Sequence, residues 1–179
     1  HNLGLLIAVG LGGLLLALAG FQTAPAEVPM IAVYVGSLIV VLSISMAFNL
    51  APVTPLKRLL ARFDQAAIFL LIAGTYTPLL TLLGKTAAGD IMLAVVWGAA
   101  LLGIALKLIV PQHFDRPAIL LYLAIGWSGV IVFKSLAEAL PPSTLWLILA
   151  GALAYSSGII FYLWERLHFH NVLWHCFVV

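Results

Sequence analysis

A chain of 179 residues in which 64% are hydrophobic and 8% charged, with a net charge of +2 and a mean hydropathy of +1.20, is not a water-soluble domain; its solvent is lipid. So small a charge, with no basic run, excludes nucleic acid as a partner and leaves membrane lipids and other membrane helices. A single cysteine, Cys176, excludes an intrachain disulfide and a cysteine-rich metal cluster.

A bilayer crossing takes about 20 apolar residues in a helix, so the chain is divided where prolines and polar turns interrupt its apolar runs. Helix 1 is expected over Leu3 to Gly20, closed by the Pro-containing turn Gln22 to Pro29, and helix 2 over Met30 to Leu50, stopped by Pro52. Val53 to Arg62 carries Lys57, Arg58 and Arg62 in an amphipathic pattern and reads as a segment lying in the headgroup layer. Helix 3 then runs from Phe63 to Leu83 with a kink expected near Pro78, so that Asp64 stands on its first turn. Helix 4 covers Ile91 to Val110, helix 5 Pro117 to Phe133, and helix 6 the residues from Ser143, read as its cap, to Trp164. A seventh begins near His170 and is cut at Val179; the chain is expected to be incomplete at both ends.

The fold class is therefore all-α, a polytopic transmembrane helix bundle of seven-helix architecture with residues 1–179 forming one bundle domain. The apolar runs lack the alternation of barrel strands. Lys57, Arg58, Arg62, Lys107, Arg116 and Arg166 fall on one side of this arrangement and only Lys85 and Lys134 on the other. Because cytoplasmic loops retain basic residues, the N-terminus is expected in the cytoplasm.

The same topology brings the unusual polar residues to one depth. Ser45 and Asn49 are four apart on the last turns of helix 2, Asp64 begins helix 3, and Asn171 and His175 are four apart on helix 7. Residues four apart share a helix face, so each pair can point inward as a unit. Two readings stay open: a site in which Asp64 supplies a carboxylate, Ser45 a hydroxyl and His175 an imidazole, or a hydrogen-bonded latch between helices 2, 3 and 7. Thr75 and Thr77, beside Pro78, are expected to satisfy backbone groups that the proline frees. A pore is a weaker alternative, since no helix carries a row of charges of the kind that lines an ion path.

The runs SMAFNLAP (Ser45 to Pro52), RFDQAAIFLLIAGTYTPLL (Arg62 to Leu80) and FYLWERLHFHNVLWHCFVV (Phe161 to Val179) resemble the hemolysin III family, the bacterial branch of the progestin and adiponectin receptor family. The most specific part is LIAGTYTP, Leu71 to Pro78. The resemblance implies seven helices in a bacterial inner membrane and a Zn²⁺ ion held near the cytoplasmic side by three histidines, with a Ser and an Asp nearby. It further implies metal-dependent hydrolysis of a lipid amide, the chemistry of ceramidases. Carried over residue by residue, the resemblance implies Ser45 and Asp64 as the catalytic pair and His175 as the last metal ligand, while Asn49 and Asn171 stand at the other two ligand positions and Gln65 where a histidine often follows the Asp. An amide oxygen is a much poorer zinc ligand than imidazole. The residues themselves leave enzyme and non-catalytic membrane sensor or regulator both open.

Overall fold

A computed structural model describes residues 2–23, 25, 27–83 and 86–163. Its elements are α1 (Asn2–Gln22), α2 (Val28–Leu50), α3 (Pro55–Thr81), α4 (Ala87–Ile109), α5 (Pro111–Trp127), a 3-10 stretch Ser128–Val132, α6 (Phe133–Ala139) and α7 (Pro142–Leu163). The described residues are helical with no strand among them. Among the described residues, six helical segments are long and apolar enough to cross a bilayer: Gly4–Gln22, Val28–Leu50, Pro55–Thr81, Ala87–Ile109, Pro117–Ala139 and Pro142–Phe161. The seventh helix expected near His170 lies outside the described residues.

Two compact units divide the chain, residues 1–125 and 126–179. In the first, α3 packs against both α2 and α4, and α1 packs on α2. The large apolar side chains of α1 and much of α2 and α4 are exposed, among them Leu6, Leu11, Leu14, Val40, Ile91, Val95 and Leu102. Many of the buried positions on α3 and α4 are small: Ala66, Ala67, Ala73 and Gly74 on α3, Ala100 and Gly103 on α4. Lipid solvates large apolar groups as well as a core does, so the helices meet through residues that let backbones approach.

Two glycines enforce this closeness. A Cβ at Gly103 would stand 2.5 to 2.7 Å from the ring of Phe69, which is fully buried. A Cβ at Gly74 would collide with the Ser37 side chain of α2. Each glycine thus fixes the depth of one partner of α3.

Several boundaries differ from expectation. Residues 55–62 form the first turns of α3 and are continuous with its apolar part, because Pro55 at the helix start suits the first turn and nothing between Lys57 and Phe63 breaks the helix. A change from polar to apolar side chains does not interrupt a backbone. Asp64 consequently stands about two and a half turns inside α3 instead of on its first turn. Helix α5 begins at Pro111 and runs through Pro117. In the second unit, Ser143 lies inside α7, whose first turn is closed by amides of Thr144 and Leu145 donating to the Pro141 carbonyl at 3.0 and 3.3 Å.

Candidate functional site

Ser45, on the penultimate turn of α2, is buried, whereas Asn49 one turn later is exposed. The backbone reverses through residues 51–54 and returns as α3, which brings half-buried Asp64 alongside Ser45. The Ser45 hydroxyl and the Asp64 carboxylate are hydrogen-bonded; an ionised carboxylate only accepts, so the hydroxyl donates. One acid and one hydroxyl on different helices thereby form a polar contact inside an apolar pair. Asn49 does not join it: its Nδ2 donates to the backbone carbonyl of Ser45 at 2.8 Å. His175 and Asn171 lie outside the described residues.

The turn that sets this geometry is itself held by a cation. Lys57 Nζ donates to the Ala51 carbonyl at 3.1 Å and lies 5.4 Å from the centroid of the Phe48 ring. A positive group at the last carbonyls of α2 favours the helix terminus there.

On another face of α3, Tyr122 of α5 donates from its hydroxyl to the Gln65 carbonyl at 2.7 Å and packs its ring on Phe69 with centroids 4.3 Å apart. One turn beyond Gly103 on α4 stands Lys107, only 2% exposed. The sequence places Lys107 near the end of helix 4, among the basic residues of one membrane side; the structure makes it one of the most buried side chains. Residues 100, 103 and 107 are all buried on α4, and this helical spacing is the signal that could have identified it.

At the other end of α3, Thr75 and Thr77 donate to the carbonyls of Leu71 and Ala73, each at 2.8 Å. Pro78 removes the amide that would pair with the Gly74 carbonyl, so these hydroxyls bond other groups than the one the proline frees. Thr77 Oγ1 also accepts from Trp97 Nε1 at 3.1 Å, joining α3 to α4.

As a metal centre, the described donors do not fit zinc. A catalytic zinc takes three firm protein ligands and keeps a fourth position open. Here Asp64 is one carboxylate, Ser45 is a hydroxyl engaged with it, and Asn49 is committed to its own helix. Among the described residues no group of three His, Cys, Asp or Glu is gathered.

Apolar crossings, small residues at helix contacts and a polar pair joined between two spans define an integral membrane protein of the polytopic helical class. The whole chain, residues 1–179, matches the family model described as haemolysin-III related, and the chain belongs to that family. It is similar to "Hemolysin-3" of Bacillus cereus, 40% identical over 123 residues that make up 69% of this chain and 56% of the relative. A "Hemolysin-3 homolog" of Bacillus subtilis (strain 168) is 39% identical over 123 residues, 69% of this chain and 58% of the relative. The matched region thus covers little more than half the length of these relatives. No solved structure matches the chain.

Proposed function

We propose that this haemolysin III-related membrane protein carries, at one end of its helices, a site of the lipid-amide hydrolase kind centred on Ser45 and Asp64. The observation that carries the reading is the side-chain hydrogen bond between α2 and α3. A hydroxyl that donates to the carboxylate keeps its own lone pairs for a water or a lipid polar group, and the carboxylate is the group able to accept a proton from that water. His175 supplies the imidazole of the complete site, with Asn49 and Asn171 in degenerate ligand positions. Membrane lipids are the partners. The site faces the cytoplasm of a bacterial inner membrane, with the N-terminus inside, and Lys57, Arg58, Arg62 and Lys107 near the same ends of α3 and α4 support that orientation.

The test is hydrolysis of a ceramide-type lipid amide by the reconstituted full chain, with zinc measured in the same preparation. Turnover lost in Asp64→Asn and in His175→Ala supports the hydrolase. Turnover absent from wild type and variants alike defeats it. A second reading, a non-catalytic sensor or regulator latched by the same pair, rests on the same interhelical hydrogen bond between Ser45 and Asp64. Under that reading Ser45→Ala and Asp64→Asn lower thermal stability while no lipid amide is cleaved. A reporter fused at Ala87 that stays in the cytoplasm overturns the orientation.

A further inference from the structure

The helices packed closely along α3 are α2 and α4, and α5 reaches it through the side chain of Tyr122. This tyrosine is buried. Its ring lies on the Phe69 ring with centroids 4.3 Å apart and planes tilted by 46°, and its hydroxyl donates to the backbone carbonyl of Gln65 at 2.7 Å. A carbonyl oxygen has two lone pairs, so it accepts the hydroxyl and keeps its place in the helix ladder. The ring holds α3 by a side chain and the hydroxyl holds it by the main chain. Two attachments to one helix oppose both its rotation and its sliding.

The main-chain attachment falls on the residue that follows Asp64. Phe69 is about 140° round α3 from Asp64, so Tyr122 grips one flank of the helix while the Asp64 side chain turns to Ser45 of α2 on another. The apolar surface of α3 does not set that angle, since lipid and protein accommodate large apolar side chains with similar ease. Side-chain tips stand about 5 to 6 Å from a helix axis, so a rotation of about 20° carries the Asp64 carboxyl group about 2 Å sideways. That displacement takes its bond to Ser45 out of range. A bond to a side chain would leave the backbone free to turn beneath it, whereas a bond to the Gln65 carbonyl fixes the helix itself.

We propose that Tyr122 is a positioning residue of the Ser45–Asp64 pair: its hydroxyl, held on the Gln65 carbonyl, sets the rotation of α3 that keeps the Asp64 carboxyl group against the Ser45 hydroxyl. It acts through the α3 backbone. Its effect on turnover rests on the hydrolase reading above; its effect on the geometry of the pair does not.

The experiment compares two variants of the full chain: Tyr122→Phe, which keeps the ring and removes the hydroxyl, and Thr77→Val, which removes a hydrogen bond between α3 and α4 at the far end of the same helix. Infrared difference spectra against Asp64→Asn isolate the stretching bands of the Asp64 carboxyl group. Ser45→Ala is expected to shift these bands, Tyr122→Phe to shift them in the same direction by a comparable amount, and Thr77→Val to leave them in place. In unfolding measurements the coupling between Ser45 and Asp64, roughly 3- to 30-fold in the equilibrium constant, is expected to vanish in the Tyr122→Phe background and to persist in the Thr77→Val background. With a lipid amide as substrate, Tyr122→Phe is expected to lower kcat about tenfold or more with KM little changed. Bands or coupling left unchanged by Tyr122→Phe, or altered equally by Thr77→Val, overturn the proposal. Absence of turnover in the wild type defeats the hydrolase reading alone, and the bands and the coupling then decide the role of Tyr122.

Discussion

The two halves of α3 use polar residues in opposite ways. Near its C-terminal end, Thr75, Thr77 and Thr81 each donate to carbonyls of their own helix, and Thr77 in addition accepts from Trp97 of α4. Near its N-terminal end, Asp64 reaches across to Ser45 and the Gln65 carbonyl receives Tyr122. A hydroxyl on a helix can satisfy itself locally by bonding the carbonyl one turn back. A carboxylate cannot, because it needs donors that its own helix has already used. Local satisfaction makes the threonine end a matter of helix chemistry, whereas the aspartate end exists only through its neighbours.

The fixed point between the two ends is Phe69 against Gly103, and removing it should have the largest effect. Phe69→Ala is expected to lower unfolding stability by about 3 to 5 kcal/mol through the cavity left at a fully buried ring, and Gly103→Ala by about 1 to 3 kcal/mol through forced displacement of that ring; chemical unfolding in mixed micelles measures both. If both losses are small, the halves of α3 are not anchored in common.

Ser45→Ala, Asp64→Asn and the double variant form the next test. Their coupling is expected at about 0.6 to 2 kcal/mol, the range for polar contacts between membrane helices. A coupling near zero would place the N-terminal half in the same self-satisfied class as the threonines. By the same logic Thr77→Val should cost about 0.6 to 1 kcal/mol by orphaning Trp97 Nε1, with a change in Trp97 fluorescence as a second readout, whereas Thr75→Val should cost a few tenths at most, since its bond adds to a carbonyl already paired in the helix. Lys57→Gln is expected to cost about 0.3 to 1 kcal/mol, as for a cation at a helix C-terminus, measured as a lowered thermal midpoint at low salt.

The crossings were legible because they depend on length and apolarity, which are local. Proximity of Ser45 and Asp64 followed as well: a short connection between two spans forces the end of one beside the start of the next. Lys107 was not legible. A lysine near a helix end reads as a surface charge, and its burial depends on Gly103 drawing α4 onto Phe69, a contact between residues 34 positions apart in sequence. The start of α3 was missed for a related reason, since a polarity boundary was taken for a backbone boundary. Asn49 shares a helix face with Ser45 in projection, yet burial decreases toward the end of α2 and leaves it exposed.

What the sequence by itself determined is the solvent and the family: 64% hydrophobic residues leave lipid as the only medium for these helices, and motif runs carry kinship without any coordinates. What only the tertiary structure decided is which polar atoms meet. In a bilayer, large apolar side chains face lipid or protein with nearly equal ease, so hydrophobicity does not orient a helix about its axis; small residues and hydrogen-bond partners on neighbouring helices do. The rotation of α3 that sends Asp64 toward α2 and Phe69 toward α4 and α5 is therefore a property of the packed helices and of no single segment.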